Sequence, residues 1–341
     1  MSNAFEFTLG LDLAQATFDA ALAPEGSRVM DWRALPHTHF ELPPDSPAGV
    51  RALLAWLAQV APQGRCRRVV VESTGVISRR VARALAPRGL AVAIVNPRRS
   101  KAFGDSLGVV DKKDRIECAL LSVFGMVQQP AATPLAEGAN AQVRELSRLR
   151  QSLVEEETAW KNRLTQLDVS FAKKFVEKKL KDFVHQIAAV NAEIDKLIAA
   201  DPVLSFQVRA LERIKGIGPV TARTLTAELG DLRTYSRAQL VALAGLFPRR
   251  YESGTSVYKR PRLAKGGGGR LRRVLYMCAT SLFESKGEMR KWIEGQLEKG
   301  YEKMVVEVMV MRKLLLVARA VMVADGHYDP SKIGCQEAVA A

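Results

Sequence analysis

The sequence has few cysteines and few histidines, and none of them are grouped as a metal or redox site requires. The four cysteines, Cys66, Cys118, Cys278 and Cys335, lie far apart, with no Cys-x-x-Cys pair. The four histidines are equally scattered. A zinc site needs closely spaced ligands, and a disulfide framework needs a dense set of cysteines. The sequence therefore predicts neither, and both sets are interpreted as structural or surface residues.

A long apolar segment is also missing. No run approaches the roughly 20 residues that a transmembrane helix needs. The first residues lack the charged-then-apolar pattern of a signal peptide. We therefore expect a soluble, cytoplasmic protein that has no membrane partner.

The chain has fewer acidic than basic residues. Lys and Arg number 51 against 36 Asp and Glu, which gives a formal net charge of +15. Such an excess favours a polyanionic partner, with nucleic acid as the first interpretation and an anionic membrane surface as the second. The chain of 341 residues is long enough for two compact domains and a connector.

The first 130 residues alternate short apolar runs with helical patterns. Residues 5–22 hold two apolar runs separated by a polar turn, which predicts a β-hairpin, and a run at 29–34 is interpreted as extending it. Further strands are predicted at 67–74 and 90–97, and helices at 44–60, 76–89 and 111–127. This order predicts an α/β domain with a mixed sheet. It is the order found in ribonuclease-H-like domains.

The rest of the chain reads as mainly α-helical. Residues 128–135 (QQPAATPL) suit a linker. Residues 139–200 contain no proline or glycine and repeat apolar residues at spacings near three and four, which predicts a helical hairpin or coiled coil. A spacer and a dimerisation arm both remain open for it. A compact, mainly helical C-terminal domain is expected at 203–328, followed by a tail at 329–341.

Four acidic residues form the first candidate site. Asp12 and Glu72 lie on two predicted strands, and Asp111 and Asp114 lie three apart at the start of a predicted helix. Carboxylates from these elements can converge on Mg²⁺, or on Mn²⁺ as the alternative ion, for two-metal phosphodiester chemistry. The structural alternative is that Asp111 and Asp114 favour the helix dipole and that Asp12 is an ordinary turn residue.

A glycine-rich turn forms the second candidate. Residues 211–225 (LERIKGIGPVTARTL) predict a helix, a tight turn and a second helix, and resemble a helix-hairpin-helix motif. Lys215, Gly216 and Gly218 would then bind a DNA phosphate at a helix N-terminus. A plain helix–helix turn is the alternative.

The third candidate is a basic strip at 249–273. It has nine basic residues against the single acid Glu252, more than half of the excess charge of the chain. The predicted nucleic-acid ligands are Arg249, Arg250, Lys259, Arg260, Arg262, Lys265, Arg270, Arg272 and Arg273. The glycines at 266–269 would allow a close approach to phosphate, and a disordered basic loop is the alternative.

Ser253 lies inside the basic strip, within a Ser-Gly dipeptide. Spacing alone favours an ordinary turn residue. No histidine nearby offers itself as a base, so a nucleophilic serine would need another group to take its proton and arginines to offset its charge.

Together these segments resemble a known family, the Asp-Glu-Asp-Asp transposases of insertion sequence family 110, also called bridge recombinases, and the related Piv-type DNA invertases. The resemblance covers nearly the whole chain and follows the family's motif order. It rests on GLDLAQATFDAAL, VVVESTG, NPRRSKAFGDSLGVVDKKDRIECALL, LERIKGIGPVTARTL, LAGLFPRRYESG, KGGGGRLRRVLYMCA and MRKLLLVARA.

The resemblance implies a RuvC-like (ribonuclease-H-like) nuclease domain, a coiled-coil connector and a helical transposase domain with a helix-hairpin-helix-like motif. It implies that Asp12, Glu72, Asp111 and Asp114 bind Mg²⁺ and that Ser253 attacks a DNA phosphate to form a transient phosphoserine link. Our own hypothesis is that the serine is brought beside the metals across subunits. The implied partners are DNA, a structured non-coding guide RNA and further copies of the chain, as a dimer or tetramer. An enzyme of this kind is expected to act on the bacterial nucleoid.

This sequence departs from the family pattern at a few positions. Glu117-Cys118 stands where Asp-Ala is common, Phe247 interrupts a usual Gly-Leu-Asp-Pro, and Gly268 replaces a frequent Asn. Two rival functions stay open. One is a junction nuclease that uses the four acids and water without the serine, and the other is a non-catalytic nucleic-acid-binding scaffold.

Overall fold

The computed structural model describes residues 5–109, 114–135, 138–253, 257–264 and 268–330. The chain divides into two compact units, Met1–Leu135 and Ala136–Ala341. The finer boundaries expected from the sequence, including a separate connector and a tail, stay predictions.

Within the described residues, unit 1 is built on a five-stranded sheet. Its strands are β1 (Glu6–Leu13), β2 (Phe18–Pro24), β3 (His37–Phe40), β4 (Arg65–Glu72) and β5 (Val92–Val95). Its helices are α1 (Pro47–Val60), α2 (Val76–Leu85), α3 (Pro97–Ser106) and α4 (Asp114–Gln128). Short 3-10 turns cover Val29–Ala34 and Ala86–Arg88.

The sheet is mixed, with strand order β3-β2-β1-β4-β5. β1 pairs antiparallel with β2, and β2 pairs antiparallel with β3. β4 pairs parallel with β1, and β5 pairs parallel with β4. Because these three strands run the same way, their carboxyl ends meet at one edge of the sheet. The arrangement is consistent with the ribonuclease-H-like fold that the sequence predicted.

Helices cover both faces of this sheet. On one face Leu9, Leu11 and Val71 pack with apolar residues of α1 and α2, including Leu53. On the other face Val70 packs against α4. Burial on both faces explains why the centre of β4 reads as a continuous apolar run.

The predicted hairpin and the strand predicted at 67–74 are confirmed as β1, β2 and β4, with shifted ends. The interpretation of 29–34 as a strand is wrong, because this run forms a 3-10 turn whose Trp32 is buried. The third strand comes later, at His37–Phe40. A short apolar run does not distinguish strand from helix by periodicity alone.

Helix α3 is absent from the sequence prediction, which treats Pro97 as the end of a strand. In the structure Asn96 caps the helix by accepting a hydrogen bond from the backbone N–H of Arg98 at 2.9 Å. Pro97 then occupies the first turn, where its missing N–H costs nothing. The Asn-Pro pair therefore ends β5 and begins α3 at once.

Unit 2 is mostly helical over its described residues. Its helices are α5 (Gly138–Leu164), α6 (Ser170–Ala200), α7 (Pro202–Glu212), α8 (Pro219–Leu229), α9 (Arg237–Ala244), α10 (Gly269–Glu284), α11 (Glu288–Glu298) and α12 (Lys303–Val323). A 3-10 turn covers Leu232–Thr234, and two strands, β6 (Pro248–Ser253) and β7 (Val257–Leu263), pair as an antiparallel hairpin.

Helices α5 and α6 pack along one another over the segment predicted to be a helical hairpin. Coiled-coil packing between them stays a prediction. Near the start of α5, Arg144 and Arg148 bind Glu228 of α8 at 2.8 and 3.1 Å. These ion pairs join the base of the hairpin to the helical core.

The hairpin β6–β7 is a feature that the sequence did not predict. Dense charge in this segment obscures the alternation that would indicate strands. The register pairs Arg249 with Arg262 and Ser253 with Val257. As a separate finding, none of the helices in the described parts of the chain is long and apolar enough to cross a membrane.

Candidate functional site

Asp12 and Glu72 lie at the carboxyl-end edge of the sheet in unit 1. Leu11 on β1 is paired with Val71 on β4, and the two strands are parallel. The next residue of each strand is Asp12 and Glu72, so both acids lie side by side on the sheet face opposite Leu11 and Val71. Both are partly buried. The structure therefore brings together the two strand acids that the sequence selected.

Helix α4 packs on this same face and runs toward the acidic edge. A Cβ atom on Gly10 would lie 2.1 Å from the Cys118 carbonyl oxygen, and one on Gly125 would lie 2.5 Å from Thr8 Cγ2. Thr8 of β1 therefore lies against Gly125 of α4, and Gly10 lies against Cys118, so the strand and the helix run in opposite directions. Since Asp12 lies two residues further on, the first turn of α4 points to the edge that carries Asp12.

Of the two acids predicted at the start of a helix, Asp111 and Asp114, the structure describes only the second. Asp114 is the first residue of α4, and its backbone is the part that is described. Asp111 lies outside the described residues. Within those residues, no group of three or more His, Cys, Asp or Glu side chains is arranged to hold a metal ion. The set of four carboxylates therefore stays a prediction.

Ser100 of α3 binds Glu72 directly. Its hydroxyl lies 2.5 Å from Glu72 Oε1, to which it donates a hydrogen bond, and 3.1 Å from the Pro97 carbonyl oxygen. Ser100 is buried. The contact uses one oxygen of the carboxylate and orients the other. Ser100 is absent from the sequence prediction because α3 is absent from it, although the Asn96-Pro97 capping pair is visible in the sequence.

Asp19 is a further acid at this edge that the sequence analysis did not select. It stands directly opposite Asp12 in the β1–β2 register, where paired Cβ atoms are about 5 Å apart. Asp19 is 8% exposed, and one of its oxygens is 2.9 Å from His39 Nδ1 on β3. Its place within the predicted hairpin was visible in the sequence, but its pairing with Asp12 was not.

The pKa of the Cys118 thiol is affected by burial and by the negative charges at the acidic edge. Burial, and then the negative charges of Asp19 and Asp12, raise the pKa of Cys118 to about 12. The raised pKa favours the protonated thiol at neutral pH.

The glycine-rich turn joins α7 to α8. Gly216 has φ +96°, and a Cβ there would lie 2.8 Å from Leu282, so packing in unit 2 is enough to require glycine. Lys215 Nζ binds the backbone carbonyl oxygen of Lys286. A Cβ on Gly218 would have no atom within 4 Å. Of the two predicted phosphate-binding glycines, Gly218 is therefore the one with open space beside its α carbon.

The β6–β7 hairpin carries part of the basic strip. Arg249 and Arg262 are paired across it, and both are exposed. Ser253 is the last residue of β6, rather than part of a free turn. For Ser253, Arg250, Lys259 and Arg260 the backbone is the described part, and Lys265 lies outside the described residues.

The arginines of α10 have partners within the protein. Arg272 Nη1 donates to the Ala244 carbonyl oxygen at 3.0 Å, at the end of α9. Arg273 binds the carboxylate of Glu155, and Arg270 lies 3.9 Å from Glu228. The strip that is continuous in sequence is therefore divided between exposed strand arginines and helix arginines that join elements of unit 2.

Gly268 is the N-cap residue of α10 and has the left-handed conformation, with φ +59°. A Cβ there would lie 2.4 Å from the Leu243 carbonyl oxygen. Close packing against α9 therefore accounts for this glycine without a bound phosphate.

Comparison with known proteins identifies the class of enzyme. Residues 9–169 match the DEDD transposase of the IS110 elements, and residues 208–294 match the transposase IS116/IS110/IS902 family. Pilin gene-inverting proteins of Moraxella lacunata and Moraxella bovis are each 26% identical over 325 residues, which is 94% of this chain and 97% of each relative. The transposase for insertion sequence element IS1328 of Yersinia enterocolitica is 31% identical over 138 residues, 39% of this chain and 40% of that protein.

The protein is thus a DNA recombinase of the transposase class. It belongs to the IS110 family of transposases, as the motif order predicted. Its substrate is DNA, and its DEDD domain implies dependence on a divalent metal.

Proposed function

We propose that the protein cuts and rejoins DNA strands through two sets of groups, the carboxylates of Asp12, Glu72, Asp111 and Asp114 and the hydroxyl of Ser253. The observation that carries the proposal is the convergence of Asp12, Glu72 and the start of α4 at one edge of the sheet. The ions proposed for these carboxylates are Mg²⁺ or, as the alternative, Mn²⁺, because both prefer oxygen ligands.

The donor set at the edge fits a hard divalent cation. Asp12 and Glu72 are partly buried, and the Cys118 thiol beside them is kept neutral. Carboxylates on adjacent strand ends repel one another, and a bound cation relieves this repulsion. A bound ion would stabilise charge on the phosphate and favour loss of a proton from the attacking hydroxyl. Ser100 holds one oxygen of Glu72, and the other is proposed to face the cation.

Ser253 is proposed as the nucleophile. Its Oγ forms a bond to the phosphorus of the DNA backbone while the bond to one deoxyribose oxygen breaks, and that oxygen takes up a proton. The serine ester retains the energy of the phosphodiester, so the reverse attack by a DNA hydroxyl rejoins strands without ATP. The neighbouring basic strip supports this role, because its positive charge can bind the phosphate backbone.

The remaining parts of the proposal concern assembly and partners. The glycine-rich turn is proposed to bind DNA as a helix-hairpin-helix-like element, with Gly218 as its open position. The α5–α6 hairpin is proposed to act as a coiled coil in a dimer or tetramer. A structured non-coding RNA is proposed as guide, supported by the net charge of +15 and the resemblance to bridge recombinases. Action at the bacterial nucleoid follows from a DNA substrate.

A covalent adduct tests the serine chemistry. The protein is incubated with element-end DNA, the non-coding RNA flanking the gene and Mg²⁺, and denaturing gels are examined for DNA attached to protein. The wild type and Arg51→Gln, a control in α1, should form the adduct; Ser253→Ala and Asp12→Asn should not. An adduct that persists in Ser253→Ala contradicts the serine assignment.

The same experiment separates the two rival functions. Cleavage without an adduct in Ser253→Ala, lost in Asp12→Asn, supports a junction nuclease that uses water. Normal recombination by an Asp111→Asn, Asp114→Asn double variant contradicts the metal assignment and supports a scaffold. Chelation by EDTA should abolish cleavage and be reversed by excess Mg²⁺ or Mn²⁺.

A further inference from the structure

The closed end of the α5–α6 hairpin, defined as residues 160–181, combines exposed aromatic rings with a high density of positive charge. Phe171 is 80% exposed and Phe175 is 60% exposed. The segment has seven basic residues against two acidic ones. Both features are costly or unusual on an isolated surface, and together they indicate a bound partner.

The aromatic rings and lysines share one face of α6. Phe171, Lys174, Phe175 and Lys178 follow spacings of three and four, and all four are exposed. Such residues form a continuous stripe on a helix. The ion pairs found among the described residues do not include Lys174 or Lys178. The stripe therefore presents flat rings with cations between them.

An open groove adjoins the stripe. It has a volume of about 590 Å³ and is lined by residues that include Trp160, Leu167, Phe171 and Phe175. Arg163 and Lys179 lie 4.5 and 5.0 Å from the centre of the Trp160 ring. No ring–ring contact among the described residues involves Phe171 or Phe175, so both rings are available for stacking.

We propose that the hairpin end binds single-stranded DNA, with unpaired bases stacked on Phe171 and Phe175 and phosphates beside Lys174 and Lys178. Stacking on aromatic rings requires bases that are not already stacked in a duplex, and lysines that follow the rings match the backbone of such a strand. The proposal depends on the assignment of the chain as a DNA recombinase. Exchange of strands between duplexes exposes unpaired bases near the exchanged ends.

A second copy of the chain fits this face less well. In a symmetric dimer the same patch meets itself, so a segment with seven basic and two acidic residues would face an equal excess of positive charge. A helical dimer also needs apolar residues repeated along its length. In the part of α6 after residue 181, which the structure describes in full, Val184 is the one large apolar residue that is exposed. The aromatic stripe is therefore not continued along α6 by closely spaced exposed apolar residues.

Binding of labelled oligothymidylate of about 16 nucleotides tests the proposal, measured by fluorescence anisotropy with the full-length protein in EDTA. Without divalent metal the measurement is independent of cleavage and of the proposed metal and serine chemistry. Phe171→Ala, Phe175→Ala together should weaken binding about tenfold or more. Phe171→Tyr, Phe175→Tyr should retain it. Leu149→Ala, Val184→Ala, which removes exposed apolar residues elsewhere on the hairpin, should have no effect.

Charge is tested separately. Lys174→Gln, Lys178→Gln should make the dependence of log K on log salt shallower by about 1.4, since each phosphate contact on a single strand contributes about 0.7. Lys196→Gln, near the other end of α6, should leave the slope unchanged.

Four results would overturn the proposal. The first is unchanged oligothymidylate affinity in the double alanine variant. The second is that the double alanine variant loses affinity for oligouridylate, an RNA strand, but not for oligothymidylate, which would indicate RNA as the ligand. The third is a lower molecular mass by light scattering with unchanged affinity for DNA, which would indicate a subunit interface. Equal loss of binding to duplex and to single strands would also contradict a stacking role.

Discussion

The acidic edge of unit 1 and the basic strip of unit 2 differ in how their charged side chains are supported. At the acidic edge, the close packing of Gly10 against α4 fixes the backbone of β1 next to Asp12. The buried Ser100 donates a hydrogen bond to Glu72. In the basic strip, Arg262 is exposed on a strand while Arg272 already binds a carbonyl oxygen of the protein. Chemistry at the phosphate needs accurate placement, whereas binding of a phosphate backbone tolerates freedom.

The largest expected effect comes from breaking the support of the acidic edge. Gly10→Ala places a methyl group 2.1 Å from the Cys118 carbonyl oxygen, so β1 and α4 must separate. We expect a loss of about 3 kcal/mol in the free energy of unfolding, together with loss of DNA cleavage. Urea unfolding followed by circular dichroism measures the first, and a cleavage assay the second.

Gly218→Ala is the matched control for this variant, because a Cβ at that position has no atom within 4 Å and its φ is −87°. It should unfold within about 0.5 kcal/mol of the wild type. Equal destabilisation by both variants would show that the β1–α4 contact has no special importance.

The ion pairs of Glu228 with Arg144 and Arg148 allow a test of how much arginines in unit 2 stabilise the fold. Burial by itself would raise the pKa of Glu228, but the hydrogen bond from Arg148 and the charges of Arg144 and Arg148 outweigh burial and hold the pKa below its ordinary value of 4.5. A lowered carboxyl pKa stabilises the fold above pH 4.5, and this stability is lost as the pH falls through the lower folded value.

Glu228→Gln should therefore be less stable than the wild type by about 2 kcal/mol at pH 7. The difference should shrink as the pH is lowered below 4.5. Thermal unfolding of both proteins between neutral pH and pH 3 measures it. A difference that stays constant over this range would contradict the role of the Glu228 charge.

The two kinds of arginine in the basic strip give the next prediction. Arg272→Ala should lose about 1.5 kcal/mol of stability, because the Ala244 carbonyl loses a charged donor. Arg262→Ala should leave stability within about 0.5 kcal/mol of the wild type and weaken DNA binding. Thermal unfolding and DNA titrations on both variants separate the roles. If each variant changed both quantities equally, the division of the strip would be wrong.

The smallest expected effect concerns Ser100. Ser100→Ala removes the hydroxyl that orients Glu72, and outer-shell partners of this kind typically change metal affinity by about tenfold or more. The Mg²⁺ concentration for half-maximal cleavage should rise by about that factor, with little change in the maximal rate. Ser106→Ala, in the same helix, removes an exposed hydroxyl that bonds to Phe103 and should leave it unchanged. An equal shift in both variants would indicate a general effect on α3.

Local pattern was sufficient to predict several elements of unit 1. Alternation in β1 and β2, the apolar run of β4 and the helical spacing of α1 and α4 all follow from side-chain periodicity. Helix α3 was missed because its capping pair Asn96-Pro97 also ends a strand. The hairpin β6–β7 was missed because charged residues dominate both of its strands. The neighbouring positions of Asp12 and Glu72 could be predicted because adjacent parallel strands end at one edge, whereas their role as metal ligands stays a prediction.

By itself, the sequence determined the family, the excess of basic residues, the positions of Asp12 and Glu72 near strand ends and the order of most elements of unit 1, since composition, periodicity and motif order are properties of short segments. Only the tertiary structure decided which residues surround those acids. Ser100 reaches Glu72 across 28 residues of chain, and Asp19 meets both Asp12 and His39 through strand register. It also decided which arginines of the strip are already engaged. Contacts of this kind depend on pairing and packing between distant segments, which leave no local pattern in the sequence.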